Sequence, residues 1–174
     1  TRRRRQRQMC IRDRICPSKG GDTMWSSMTA AYESLSESMK NFLKNLTAEH
    51  DFCHGFKESI AEPGGRERLK DAIKNNPPVV HPVIRTHPIT KRKAIFVNPL
   101  FTTKINELSK SESDALLEFL YSYSITPEFT CRFSWTPNSI AIWDNRCTLH
   151  KPINDYFPEH RLLERITVDG DEPF

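Results

Sequence analysis

The stretch RLLERITV, residues 161–168, carries two arginines four positions apart, Arg161 and Arg165. Read as a strand, its period of two puts Arg161, Leu163, Arg165 and Thr167 on one face. The two guanidinium groups then stand about 13 Å apart along the strand. Guanidinium forks grip carboxylates and sulfonates in bidentate fashion, so this face suits anions. A solvated outer face is the plainer alternative. Eleven residues before Arg161, the stretch WDNRCTLH ends on His150. Read as a strand end, it presents an imidazole that can bind a metal while an arginine on the next strand holds the far carboxylate of an anionic cosubstrate. Asp144 reads as a strand-end structural acid. His50 and His54 read as lying at a helix end and in a loop. They and the strand-flanking His81 and His87 read as residues that satisfy local hydrogen bonds.

These residues need a frame. DTMWSS (22–27) reads as a short strand, and Met28, Ala31, Tyr32 and Leu35 then recur at helical spacing. Ser36 caps a second helix carrying Met39, Phe42, Leu43 and Leu46. Residues 51–66 read as irregular, with a break at Pro63-Gly64-Gly65. RERLKDAIKN is an amphipathic helix, buried through Leu69 and Ile73 and ended by Pro77 and Pro78. VVHPVIRTH and KAIFVN are two strands around the turn HPITKRK. Ser111 with Asp114 predicts a capping box for a helix carrying Leu116, Leu117, Leu120 and Tyr123. EFTCRFSW alternates, with Phe129, Cys131, Phe133 and Trp135 on one face. SIAIWD and RLLERITV complete the strands. The fold class expected is mainly β with a helical insert (α+β), a β-sandwich or jelly roll with helical decoration.

Charge is unevenly distributed. Residues 1–14 hold seven arginines against one acid, whereas the rest of the chain holds 19 basic and 21 acidic residues. The body therefore has no basic field of the kind that binds nucleic acid. No run of about eighteen apolar residues predicts a membrane span. Five scattered cysteines without a CxxC pair fit a reducing cytoplasm better than a disulfide framework or zinc site.

Several separate stretches carry a family resemblance: GGDTMWSSMTAAYESLS, AEHDF, HPVIRTHPIT, FVNPLFTTKI, PEFTCRFSW, IAIWDNRCTLH and DYFPEHRLLERITVDGDEPF. In order and spacing they resemble the taurine dioxygenase (TauD/TfdA) family, from about Gly20 to Phe174. The resemblance implies a double-stranded β-helix (jelly roll, cupin-like). It implies an oxidoreductase that uses Fe(II), 2-oxoglutarate and O2 to hydroxylate a small anionic substrate, taurine or another sulfonate, with succinate and CO2 as co-products. It implies that His150 binds the metal, that Thr23 and Arg161 hold the distal carboxylate of 2-oxoglutarate, and that Arg165, Phe56 and Phe101 contact substrate. FVNPLF places Pro99 and Leu100 before the aromatic, a departure from the taurine enzyme that leaves the substrate open. The resemblance further implies a homo-oligomer for the full-length protein.

The family's first two metal ligands come from an HxD motif ahead of GGDT. The six histidines here are followed by DF, GF, PV, PI, KP and RL, so neither HxD nor HxE occurs. One of three ligands is present, and one imidazole does not hold Fe(II) usefully. The expectation is an N-terminally truncated jelly roll, inactive alone. RRQRQMCIRDR (4–14) resembles, codon by codon in one frame, the translation of a transposon-end adapter used for sequencing libraries. Residues 1–14 are therefore expected to be a non-native tail outside the fold, and 15–174 the C-terminal part of the dioxygenase domain. The alternative is a non-catalytic jelly-roll binding module with a basic N-terminal arm for nucleic acid. Thr23, His150, Arg161 and Arg165 together argue against it.

Overall fold

A computed structural model describes residues 6–170 and 173–174 of the chain. It is built from three three-stranded antiparallel sheets, a two-stranded hairpin and short helices. In the first sheet, β1 (Gln6–Ile15) lies between β9 (Ile140–Asp144) and β11 (Leu162–Asp169). In the second, β2 (Thr23–Ser27) lies between β8 (Thr130–Phe133) and β10 (Thr148–Pro152). In the third, β3 (Thr47–His50) lies between β4 (Val79–Pro82) and β7 (Thr102–Ile105). β5 (Ile84–Thr86) and β6 (Lys93–Ile95) pair as the hairpin.

The arginine-rich stretch does not stay outside this frame. Residues 1–5 lie outside the described residues, but Gln6–Ile15 is a central strand with partners on both edges. Its charge hides a period-two pattern: Met9 and Asp13 point inward and are buried at 5% and 0% exposure. On the opposite face, Arg12 donates to Asn138 Oδ1 at 2.7 Å. The same outer face carries Ile140, Ile142, Ile166 and Val168, all exposed.

Helices α1 (Met28–Glu33) and α2 (Glu37–Leu43) follow β2, capped by Ser27 and Ser36. Each serine accepts a backbone N–H of the first turn at 3.2 Å. The stretch expected to be irregular contains α3 (Phe52–Gly55) and α4 (Lys57–Ala61). RERLKDAIKN is interrupted at Leu69 into α5 (Gly65–Arg68) and α6 (Lys70–Asn75), and Leu69 and Ile73 are half-buried. His50 lies on a strand rather than a helix end, and His54 lies in α3. VVHPVIRTH is split at Val83: its first half pairs with β3 and its second with β6. EFTCRFSW is a strand over four residues, because Pro127–Phe129 forms a 3-10 turn and Trp135 lies past the strand end.

The long helix α7 (Lys110–Ser124) starts two residues earlier than the Ser111–Asp114 box predicts. Ser109 is the N-cap, and the Glu112 carboxylate accepts from its N–H at 2.9 Å and its hydroxyl at 2.6 Å. Asp114 is taken by Lys110 one turn earlier, at 2.5 Å. Ser109→Ala is expected to lower stability by about 1 kcal/mol, read as a shift of the urea midpoint. Leu117 and Leu120 of α7 close the main core against Met28 and Ala31 of α1, Ile95 of β6 and Ile105 of β7.

Candidate active site

The turn before β2 sets the site. Gly20 and Gly21 have φ of 75° and 72°, a left-handed conformation that glycine adopts without strain. Asp155 closes over them: its Oδ1 accepts from the Gly21 N–H at 2.8 Å and would clash with a Cβ at Gly20. Asp22 is held by Arg132 Nε at 2.5 Å. Thr23 then enters the sheet buried, paired with Phe133 of β8 and Pro152 of β10.

Thr23 and Arg161 meet through one side chain. Trp135 Nε1 donates to Thr23 Oγ1 at 2.9 Å, and the Arg161 guanidinium carbon stands 5.5 Å from the Trp135 ring centroid. Tyr156 flanks the same guanidinium at 5.9 Å. Both rings offer the π-face that a cation favours. Arg161 itself does not lie on the strand face expected of it; it immediately precedes β11, which begins at Leu162. Its partner is Asp13, whose Oδ2 accepts from Nε at 2.8 Å.

His150 lies in the middle of β10, opposite Trp25, rather than at a strand end. Desolvation first, and the Arg165 cation second, lower its pKa from the ordinary histidine value. The direction of the shift favours the neutral ring, the form that ligates metal. Arg165, within β11, is thus electrostatically coupled to His150. An aromatic chain connects the two halves of the site. Trp143 lies 5.0 Å from His150, Trp25 lies 5.1 Å from Trp143, and Trp135 lies 6.4 Å from Trp25. Sequence reasoning missed Trp135 and Asp13 as site residues. In the sequence Trp135 reads as one residue of a strand face, and Asp13 as part of the arginine-rich tail. Asp13 carries no local signal in the sequence; its burial beside Met9 appears only in the fold.

Phe56 and Phe101 come together elsewhere, with ring centroids 6.3 Å apart and Phe52 stacked on Phe56 at 4.4 Å. Phe56 lines an open cleft of about 260 Å³ with His54, Lys57, Glu58, Pro99 and Leu100, and Phe101 is not part of that lining. Among the described residues, the ring contacts of Phe56 and Phe101 stay within this group.

Among the described residues, a converging set of three potential metal ligands is His87, Asp144 and Cys147, with ligand atoms within 4.8 Å. The hydrogen bonds argue against a metal there. His87 Nδ1 accepts from the Ile89 and Thr90 N–H groups at 3.3 and 3.1 Å, so Nε2 carries the proton and donates to Asp144 Oδ2 at 3.1 Å. Arg146 grips the same carboxylate from Nε and Nη2 at 2.6–3.1 Å. Burial, and then Asp144, push the Cys147 thiol up, away from the thiolate a metal needs. His150 has no second and third ligand in that set, so the residues present do not fit a three-ligand iron centre.

Burial alone would raise the pKa of Asp144, but Arg146 and His87 outweigh it and hold the carboxyl at about 2. A depressed folded-state value stabilises the fold above the unfolded value of 3.8 and loses that contribution as pH falls towards 2. The thermal midpoint is expected to fall across that window by an amount equivalent to about 2 kcal/mol. Asp144→Asn should flatten that part of the profile.

Comparison with known proteins identifies the family of the chain. A model of the family "Taurine catabolism dioxygenase TauD, TfdA family" matches residues 9–167. An alkylsulfatase of Acinetobacter baylyi is 36% identical over 92% of this chain and 51% of its own length. An alpha-ketoglutarate-dependent sulfonate dioxygenase of Saccharomyces cerevisiae is 35% identical over 90% of this chain and 37% of its own. A crystal structure of a taurine dioxygenase from Burkholderia xenovorans superposes with a TM-score of 0.82 at 34% identity, covering 98% of this chain and 54% of that one. The chain thus spans about half, or less, of the length of these relatives. A match running from the inward-facing Met9 of β1 to Thr167 of β11 takes in every strand that carries the site, and the chain belongs to the TauD/TfdA dioxygenase family.

Proposed function

We propose that this chain is the anion-binding part of an Fe(II)- and 2-oxoglutarate-dependent dioxygenase that hydroxylates a small sulfonate or sulfate ester. The observation that carries the reading is the junction of Thr23, Trp135 and Arg161, joined by tilted and edge-on aromatic contacts to His150. In it, Thr23 and Arg161 take the distal carboxylate of 2-oxoglutarate, and His150 supplies one metal ligand. Arg165 takes the anionic head group, while Phe56 and Phe101 contact the rest of the substrate. The names of the relatives, a sulfonate dioxygenase and an alkylsulfatase, favour these two substrate classes. Trp135 contributes by orienting the Thr23 hydroxyl and the guanidinium at once.

The 174 residues supply one imidazole where three ligands must converge, so no step of the reaction is assigned to this chain alone. Purified chain given Fe(II), 2-oxoglutarate and taurine, ethanesulfonate or hexyl sulfate is expected to form no succinate. A chimera joining residues 15–174 to the part of the Acinetobacter relative that this chain does not cover is expected to restore it. Turnover by the chain alone would refute its inactivity, and a folded chimera silent on every substrate would refute the assignment.

Residues 1–14 we read as adapter-encoded, on the codon match; different codons in the genomic locus would overturn this. Arg14 pairs with Glu164 at 2.8 Å and Arg12 with Asn138, which disfavours a free nucleic-acid arm for these two residues. Five free cysteines favour a cytoplasmic setting. No helix among the described residues is long and apolar enough to cross a membrane. Assembly as a homo-oligomer belongs to the same reading.

A further inference from the structure

The anion site at Arg161 already holds a carboxylate. Asp13 is fully buried, and the Arg161 side chain is 5% exposed. Nε and Nη2 both approach a single oxygen, Asp13 Oδ2, at 2.8 Å. Among the described residues, neither the buried Asp13 Oδ1 nor Arg161 Nη2 has an aligned hydrogen-bond partner; the Cys16 thiol is a further polar neighbour of the Asp13 carboxylate. The fork is therefore used at one tooth, where a free carboxylate could take two.

The strand holds Asp13 in place. Its N–H donates to Ser139 O at 3.1 Å, and its carbonyl accepts from Asn138 N–H at 2.8 Å. It lies opposite Leu163, two residues from Arg161. Trp135 and Tyr156 cover the guanidinium with their rings. A Cβ at Gly21 would come within 3.5 Å of Arg161 Nη1, so glycine leaves space at that nitrogen.

We propose that Asp13 is a built-in occupant of the Arg161 carboxylate site, so that in this chain an external carboxylate binds Arg161 only in competition with it. A tethered group acts at millimolar or higher effective concentration, and a freely diffusing diacid must overcome that. The competition is independent of whether residues 1–14 are native. The identification of the displaced ligand as 2-oxoglutarate rests on the function proposed above; the occupation of Arg161 by Asp13 does not.

The test uses the whole chain with acetate, succinate and 2-oxoglutarate as probes, reading affinity by calorimetry and ligand-induced shifts of the thermal midpoint. Asp13→Asn is expected to bind 2-oxoglutarate at least ten-fold more tightly than wild type, and Asp13→Asn/Arg161→Gln to lose that gain. If wild type and Asp13→Asn bind equally and both depend on Arg161, the competition is refuted while the 2-oxoglutarate assignment stands. Should Asp13→Asn fold poorly, Asp13→Gly supplies a second readout: acetate should raise its midpoint saturably, and leave wild type and Asp13→Gly/Arg161→Gln unmoved. Rescue by acetate without any 2-oxoglutarate binding keeps the occupant and refutes the 2-oxoglutarate assignment. No rescue of Asp13→Gly by acetate or succinate overturns the proposal.

Discussion

Arg161→Met is expected to destabilise the chain by about 3–5 kcal/mol, the largest single-residue effect foreseen here. The methionine keeps an apolar stem beneath Trp135 and Tyr156 but removes the cation that Asp13 touches through Oδ2. Asp13 is fully buried, so its charge would remain without compensation in a medium that water does not reach. Removing both charges together is a different case. Asp13→Leu/Arg161→Met leaves no orphan and should recover most of the loss, because a buried pair seldom adds much over packed apolar groups. Urea unfolding of the wild type, both single variants and the double variant measures the coupling directly. A loss below about 1 kcal/mol for Arg161→Met would mean that water reaches Asp13.

Trp135→Ala comes next, with an expected loss of about 3–5 kcal/mol, the range for emptying the space of a large buried aromatic. Trp135 is 9% exposed and touches Trp25 at 6.4 Å and Phe133 at 5.0 Å, so neighbours on both sides lose contact. Trp135→Phe separates packing from polarity. It keeps most of the ring but strips the buried Thr23 hydroxyl of its donor, at a cost of about 1–2 kcal/mol. It should also weaken the cation–π contact with Arg161, since phenylalanine is a poorer partner than tryptophan. Equilibrium unfolding gives the two losses. A Phe variant as damaged as the Ala variant would show that the hydrogen bond, and not the packing, holds this corner.

Legibility in the sequence follows the range of the interactions. Ser36 was readable as a cap because the group it satisfies lies three residues away. The helix start at Ser109 was missed by two residues because Ser109 and Ser111 offer competing boxes, and Lys110 settles the choice by taking Asp114. RLLERITV was readable as a strand from its alternation, and DTMWSS from its place between a glycine turn and a helix. VVHPVIRTH was not readable as two strands, because nothing local marks Val83 as the point where the chain changes sheets.

What the sequence determined alone is the local grammar: most strand and helix positions, the glycine turn before Thr23, the absence of HxD, and the types of residue available for anions and metal. Periodicity and capping act over two to four residues, so they survive in a linear reading. Tertiary structure decided which of those residues meet. Thr23 finds Trp135 across 112 residues, and Arg161 finds Asp13 across 148. It also decided that Gln6–Ile15, within and just past the arginine-rich stretch, forms the central strand of a sheet. Strand pairing at that separation is selected by the burial of a whole face at once. No short window of sequence contains that sum, and for that reason Asp13, invisible as a site residue in the chain, stands at the arginine of the anion site.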